Sequence, residues 1–435
     1  MKRKKVILIS LDALGDTDLE YVKMLPHFSG IMEEGAWCSR VNSVYPSLTF
    51  PSHASIATGC VPDSHGVVNN YMLLPFEKLP KWNSFASALK RKAIWDYANE
   101  NNKRVLSMSW PVSAGARMTY SMPEMSPAKP KVWNMSTFFA QLDILRKYGT
   151  PKFAIETLLS KRNLPKSWFF GKQPQLDQAM IKCFEDAIRK KDFDIAMLHI
   201  YGMDDAKHTV GAQGPEIKRY LRAYDKFVGR LMDYCNSREG ENVTLMVTGD
   251  HGQKDVKWAI YGNLILEDMG YLTFKEGQLS EYGIYMDSCD GMAYLYVREG
   301  ADITQEDIDK AAERFKEVPG VLKVMRPEEF RPLGCDSRAA LVLEAADGYS
   351  FESGYEAKAL EEPFRTVESH YKGLHGYLPD TDGYRTMFFC YGQDVASVRI
   401  EQMGIIDILP TLLSWMDIKG DENMDGKAVS QVWKA

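Results

Sequence analysis

The chain has no long apolar run, no C-x-x-C pair, no excess of basic residues and no repeated or low-complexity tract. Each absence excludes something. Crossing a membrane takes about 20 apolar residues in one helix, so no membrane-spanning helix is expected. The seven cysteines (Cys38, Cys60, Cys183, Cys235, Cys289, Cys335, Cys390) are scattered and odd in number. That argues against a disulfide framework and against a thiolate zinc site. A net charge of −6 argues against a partner that is a nucleic-acid polymer, which calls for a basic face. It leaves room for a small phosphorylated ligand, because a local metal or amide cluster can hold one inside an acidic protein. The opening MKRKK precedes an apolar run of only six residues, Val6 to Leu11, which ends at Asp12. A secretion signal needs a longer run and a small-residue cleavage site, so a cytoplasmic location is expected.

What is present reads as an enzyme-sized globular chain. Its 435 residues, 45% hydrophobic and 26% charged, suffice for one large or two ordinary domains. Several short apolar runs end in polar residues: KKVILISLD (4–12), RVLSMSW (104–110), FDIAMLHIYGMDD (193–205) and NVTLMVTGDHG (242–252). Their hydrophobicity is continuous rather than alternating, as in strands buried on both faces. Helical patterns at 175–191 and 215–235 lie between them. The alternation predicts an α/β fold with a central, mostly parallel sheet flanked by helices. Lys4 and Lys5 read as a solvated strand start. The stretch 279–365 differs and predicts a small inserted α+β cap, leaving 1–278 and 366–435 as the catalytic core. Residues 113–174 lack clear periodicity and read as an excursion over the active face. The last helix is expected at 406–416.

Three strand runs end in aspartate: Asp12, Asp204 (with Asp205) and Asp250. In an open parallel sheet, ligands bind beyond the carboxyl ends of the strands, so these acids would gather on one edge. Alone they would repel, and a divalent cation resolves the repulsion. His251 follows Asp250 directly, and His208 stands one helical turn after Asp204, on the same side of a helix. Mixed carboxylate and imidazole ligands suit zinc better than calcium or magnesium. A single Asp after a strand is as readily a helix cap or turn residue. Thr49 lies just ahead of Pro51, at a helix start. By itself it reads as an N-cap, although the same position faces the positive end of a helix dipole.

The stretch VYPSLTFPSHASIATGCVPDSHGVVNN (44–70) resembles the nucleophile segment of the type I phosphodiesterase/nucleotide pyrophosphatases, within the alkaline phosphatase superfamily. The matching residues are Thr49, Phe50, Pro51, His53, His65, Gly66 and Asn70. ISLDALG, WPVS, YGMDDAKHTVG, TGDHG and GLHGY follow the family's order and supply Asp12, the Trp-Pro motif, Asp204 with His208, Asp250 with His251, and His375. The resemblance implies an alkaline-phosphatase-like fold and two divalent metals, usually zinc. One would be held by Asp12, Asp250 and His251, with Thr49 as shared ligand and nucleophile. The other would be held by Asp204, His208 and His375. Asn70 and the Thr49/Phe50 backbone would hold a phosphoryl oxygen, and Phe50 would lie against the leaving portion of the substrate.

Three departures stand out. Met203-Asp204 and Lys207-His208 replace the family's Pro-Asp and Gly-His, Val112 replaces a glycine after Trp-Pro, and no secretion signal is evident. The function implied is hydrolysis of phosphodiester or pyrophosphate bonds in a small, nucleotide-type substrate through a phospho-threonine. The alternatives are a phosphonoacetate hydrolase or phosphomonoesterase on the same scaffold, or a metal-stabilised protein that binds a phosphate ligand without turnover. Sulfatases need C-x-P-x-R, and Cys60-Val61-Pro62-Asp63-Ser64 lacks the arginine. His27, His199 and His370 match no ligand motif and read as structural. His53 and His65 are expected to shape the Thr49 segment rather than bind metal.

Overall fold

The computed structural model describes residues 2–77, 79–124, 143–159 and 172–434. The apolar runs form strands β1 (Arg3–Leu11), β2 (Ala36–Asn42), β3 (Val105–Met108), β4 (Tyr120–Met122), β5 (Ile195–Ile200) and β6 (Glu241–Thr248). With Thr386–Tyr391, Val398–Arg399 and Met403–Gly404 they make one nine-stranded sheet. Its path is Val398–Arg399, β2, Thr386–Tyr391, β6, β1, β5, β3, β4, with Met403–Gly404 beside β2. β1 runs parallel to β5 and β6, and β3 runs parallel to β5 and β4. Thr386–Tyr391 is antiparallel to both its neighbours, β6 and β2. The sheet is mostly parallel, as the alternation predicts.

Alternate residues of β1 serve opposite faces, which is why Val6 to Ile9 are apolar without alternation. Ile7, Ile9 and Leu11 join Ala196, Leu198 and Ile200 in one apolar cluster, while Val6 and Leu8 join Ile195 and Met197 in another. Helices Pro26–Glu34, Gln175–Lys190 and Pro215–Ser237 cover the first face through Phe28, Ile31, Phe184, Phe227 and Leu231. Helices Thr49–Thr58, Ile94–Glu100 and Ile408–Trp415 cover the second through Ile56, Ala57, Trp95, Leu409 and Leu412. The last of these lies within the 406–416 helix expected from the sequence.

The strand start differs from its sequence reading. Lys5 is buried and pairs with Glu241 at 2.6 Å, so its ammonium is part of the β1–β6 seam rather than solvated. His27 is structural: its Nδ1 meets Asp225 at 2.9 Å, and Asp225 also accepts the backbone N–H groups of His27 and Phe28. A buried carboxylate on one helix thus caps the start of another. None of the seven cysteines is in a disulfide.

A smaller α+β body lies between β6 and Thr386–Tyr391 in the chain. Strands Ile284–Cys289, Met292–Val297, Leu341–Ala345 and Val321–Met325 form its sheet, with helix Gln305–Lys316 packed on it through Ala311, Ala312 and Phe315. Lys254–Ile260 pairs with Gly348–Phe351, Thr366–Glu368 and Gly373–Leu374. One apolar cluster runs through both sheets, from Val256 to Tyr384. The pairing of Leu374 with Lys254 carries His375 back to the edge where His251 lies. Within the 113–174 excursion, residues 125–142 and 160–171 lie outside the described residues. No described helix is long and apolar enough to cross a membrane.

Candidate active site

β5, β1 and β6 are adjacent and parallel, so their carboxyl ends share one edge. Asp12 follows β1, Asp250 follows β6, and Asp204 stands on helix Gly202–Val210 just after β5. Helix phase decides between the two neighbouring acids of that segment. Asp204 turns inward, whereas Asp205 is exposed. One turn later His208 places Nε2 3.1 Å from Asp204 Oδ2. The His251 and His375 rings stack with centroids 3.9 Å apart.

The donor atoms fall into two groups that share His251. Asp12, Asp250 and His251 have ligand atoms within 4.8 Å of one another, and so do Asp204, His251 and His375. His208 adjoins the second group through Asp204. His251 Nδ1–H donates to the carbonyl of Gly252 at 3.1 Å, which leaves a lone pair on Nε2. That lone pair faces Asp12 Oδ1 at 3.4 Å and Asp250 Oδ2 at 3.3 Å. Asp12 Oδ1, Asp250 Oδ2, Asp204 Oδ1 and His375 Nδ1 are buried without a hydrogen-bond partner. Acceptors aimed at acceptors are costly in a buried site unless a cation lies between them. The residues therefore fit bound divalent ions, and their mix of imidazole and carboxylate suits zinc.

The titration of these groups follows from the same crowding. Burial, with the Asp250 and Asp204 charges, pushes the Asp12 carboxyl well up, and burial pushes Asp250 up to about 6. Burial pushes His251 and His375 down to about 4, so both rings are neutral near neutral pH. His208 goes the other way. Burial would lower it, but the Asp204 charge and hydrogen bond, with the Asp290 charge and the Gly373 carbonyl, together outweigh burial and push it up to about 10.

Thr49 is the first residue of helix Thr49–Thr58, whose N-cap is Leu48. The cap position belongs to Leu48, and the Thr49 hydroxyl lies 3.3 Å from His251 Nε2, at the edge of the acid cluster. His53 holds the Thr49 carbonyl through Nδ1–H at 2.7 Å and takes a hydrogen bond from Ser10 Oγ at 2.8 Å. His65 binds Ser55 Oγ at 2.9 Å on the same helix. Both histidines shape the Thr49 segment, as their motif positions suggest. Asn70 Oδ1 accepts the Phe50 N–H at 2.8 Å. That amide is engaged by Asn70 rather than open to a ligand, and the Asn70 NH2 is the donor left on that side chain. The Phe50 ring meets Trp82 at a tilt with centroids 5.0 Å apart, and Trp82 meets Tyr71 at a tilt with centroids 4.4 Å apart.

These residues open on a cavity of about 780 Å³, lined among others by Asp12, Thr49, Phe50, Asn70, Asp204, His208 and His375. Several of its residues carry no sequence signal. Tyr71 and Trp82 extend the Phe50 wall. His370 is exposed at the mouth. His199 also lines the cavity, fully buried, with Nε2 2.9 Å from Asp12 Oδ2, which gives it a place beside the site and not only in the core. Lys207, standing where the family pattern has glycine, is fully buried and donates to Asp18 at 2.7 Å and to the Ala13 carbonyl at 2.8 Å. It ties helix Gly202–Val210 to the loop after β1. Val112 sits at φ 58°, a conformation glycine adopts freely and a β-branched residue rarely. The side chain that replaces glycine there packs with Phe50, Ala54 and Val67.

The family model for type I phosphodiesterase/nucleotide pyrophosphatase matches residues 6–378. The chain belongs to this family. Among relatives, rat ectonucleotide pyrophosphatase/phosphodiesterase family member 1 is 26% identical over 274 residues, covering 60% of this chain and 26% of the relative. The venom phosphodiesterase of Naja atra is 25% identical over 260 residues, 58% of this chain and 26% of the relative. The chain thus spans about a quarter of the length of these two relatives. Among solved structures, human ectonucleotide pyrophosphatase/phosphodiesterase 5 superposes with a TM-score of 0.66 at 19% identity, covering 99% of this chain and 100% of that one. An inactive threonine-to-alanine variant of the murine protein, in complex with AMP, gives 0.63 at 19% identity over 96% of both chains. The fold of the family is therefore the fold of this chain.

Proposed function

We propose that this protein hydrolyses phosphodiester or pyrophosphate bonds of small, nucleotide-type substrates through a phospho-threonine on Thr49. The observation that carries the reading is the convergence of the unpartnered Asp12 and Asp250 oxygens on His251 Nε2, which itself lies 3.3 Å from the Thr49 hydroxyl. Two divalent cations, zinc by the donor set, would be held by Asp12, Asp250 and His251 and by Asp204, His208 and His375. They would supply charge neutralisation at the phosphoryl oxygens and an acidified Thr49 hydroxyl. Thr49 Oγ1 attacks phosphorus in line, and the ester or anhydride oxygen opposite it leaves. The Asn70 NH2 donates to a non-bridging phosphoryl oxygen, and the helix N-terminus at Thr49 favours its negative charge. Water then cleaves the phospho-threonine from the vacated side. Two inversions retain configuration at phosphorus. The Phe50, Trp82 and Tyr71 rings offer an aromatic wall for a base or aryl group.

The lining also limits the substrate. Beyond the cation ligands, its described lining carries Glu77, Glu124, Asp205, Asp287, Asp290 and Glu352 against Lys372. Such a wall disfavours a polyanionic leaving group. Initial rates on a nucleotide aryl diester, bis-p-nitrophenyl phosphate, p-nitrophenyl phosphate, phosphonoacetate and ATP test the reading. The diesters are expected to give the highest kcat/KM, with ATP below them. A highest value on phosphonoacetate or on the monoester overturns it. Zinc bound without turnover on any member of the panel would make the chain a binding protein.

A further inference from the structure

β5 reads IAMLHI, and His199 is the one polar side chain in a strand buried along its whole length. A polar ring there needs partners, and it has three. Nδ1 lies 2.9 Å from Glu124 Oε2 and 3.1 Å from the Ser109 carbonyl. Facing two acceptors, Nδ1 must carry a proton and donate. Nε2 lies 2.9 Å from Asp12 Oδ2, and the other oxygen of that carboxylate, Oδ1, has no partner and faces His251 Nε2 at 3.4 Å. The strand register makes the contact possible, because His199 stands beside Ser10 on β1 and Asp12 lies two residues on. Ser10 holds His53, which holds the Thr49 carbonyl, and the His53 and His199 rings touch with centroids 4.3 Å apart. Two buried histidines thus stand side by side behind the site, one supporting Thr49 and one supporting Asp12.

We infer that His199 is a positioning residue for the Asp12 cation site: its Nε2–H holds Asp12 Oδ2 and turns Oδ1 toward the cation, while Glu124 and the Ser109 carbonyl fix the ring through Nδ1–H. A core histidine with no such role would be satisfied by any pair of partners. Here one partner is the second oxygen of a proposed ligand, and the other, Glu124, belongs to the cavity wall with a side chain 18% exposed. Partners that orient a ligand in this way typically change metal affinity by about 10–100-fold when removed. The inference rests on the reading of Asp12, Asp250 and His251 as cation ligands, and it does not require turnover.

The test separates the two ends of the ring. In His199→Gln the amide nitrogen stands the same number of bonds from Cβ as Nε2, so the bond to Asp12 is retained. In His199→Asn the amide nitrogen matches Nδ1, so only the Glu124 and Ser109 side is retained. Metal-stripped wild type and both variants are titrated with Zn2+ against a chromophoric chelator, and the thermal midpoint of each metal-free protein is recorded. One of the two zinc association constants is expected to fall about 10–100-fold in His199→Asn and to stay near wild type in His199→Gln. The other constant stays unchanged in both. Glu124→Ala, at the cavity wall, lowers the same constant by less and covers the case in which His199→Asn fails to fold. Equal constants in the Gln and Asn variants, or a fall of both constants in step with the thermal midpoint, overturn the inference. Because no substrate is present, loss of this result and loss of the catalytic reading are separate outcomes. Graded zinc constants without turnover would remove the enzyme reading alone, and turnover with flat constants would remove this one alone.

Discussion

The two halves of the acid–histidine cluster are built from different material. Asp12, Asp250 and His251 close the ends of two central strands, and all three are essentially inaccessible. Asp204 and His208 stand on a nine-residue helix with side chains 14% and 21% exposed, and His375 arrives from a two-residue strand of the smaller body. The first half inherits the rigidity of the sheet. The second depends on one helical turn, on the pairing of Leu374 with Lys254, and on the buried Lys207–Asp18 contact. The first half should thus hold its cation tightly in a preset frame, and the second should hold it more weakly.

The largest effect tests what the first half is for. Thr49→Ala removes the hydroxyl beside His251 and leaves every strand end intact. Turnover of bis-p-nitrophenyl phosphate is expected to fall by roughly three orders of magnitude or more. Both zinc constants should stay measurable and the thermal midpoint unchanged. Activity at the wild-type level would show that another group attacks phosphorus. Next in size are the ligand deletions. Asp250→Asn should weaken zinc at the buried half by more than about 100-fold, beyond the cost of losing an outer partner. His208→Ala should weaken the other half by less, since Asp204 and the His251/His375 stack remain. A larger loss for His208→Ala than for Asp250→Asn would reverse the comparison.

The first half was also the more legible in the sequence. Asp12 and Asp250 follow mainly apolar runs, and two-sided burial makes such runs conspicuous. Asp204 and His208 are readable as a helical pair, although only the helix phase in the structure separates Asp204 from Asp205. His375 has no local signal, and its motif match with the family is what finds it. Thr49 read alone is a cap, and its place beside His251 depends on a contact 202 residues distant in the chain. His199 was hidden for a related reason. Its meaning lies in the β1–β5 register and in Glu124, 75 residues away, which no spacing along the chain records. Buried Lys5 and Lys207 were equally silent, because lysine signals burial only through its partner. The antiparallel strand Thr386–Tyr391 resembles any other apolar run, and direction is not written in composition.

The smallest effect distinguishes the halves by a proton. The Asp204 charge holds His208 protonated, pushed up to about 10 from an ordinary 6.5. His251 has been pushed down to about 4 and offers no such pair. A group raised on folding stabilises the folded state fully below its unfolded value and loses that contribution as pH rises through its folded value. In metal-free protein the His208–Asp204 pair should therefore contribute fully up to about pH 6.5 and vanish as pH passes about 10. The acid limit has the opposite sign, because against burial the His208 charge and hydrogen bond, with His375 and His251, hold the Asp204 carboxyl well below its usual range. That contribution is present above the ordinary carboxylate value of 3.8 and is lost as pH falls through the lowered one. The thermal midpoint of metal-free wild type minus that of His208→Ala, followed across this range, should form a plateau between the two limits and shrink toward the alkaline end. A difference that stays constant through the alkaline limb would mean that the ring is neutral and that the outer half is held, like the inner one, without a proton to displace.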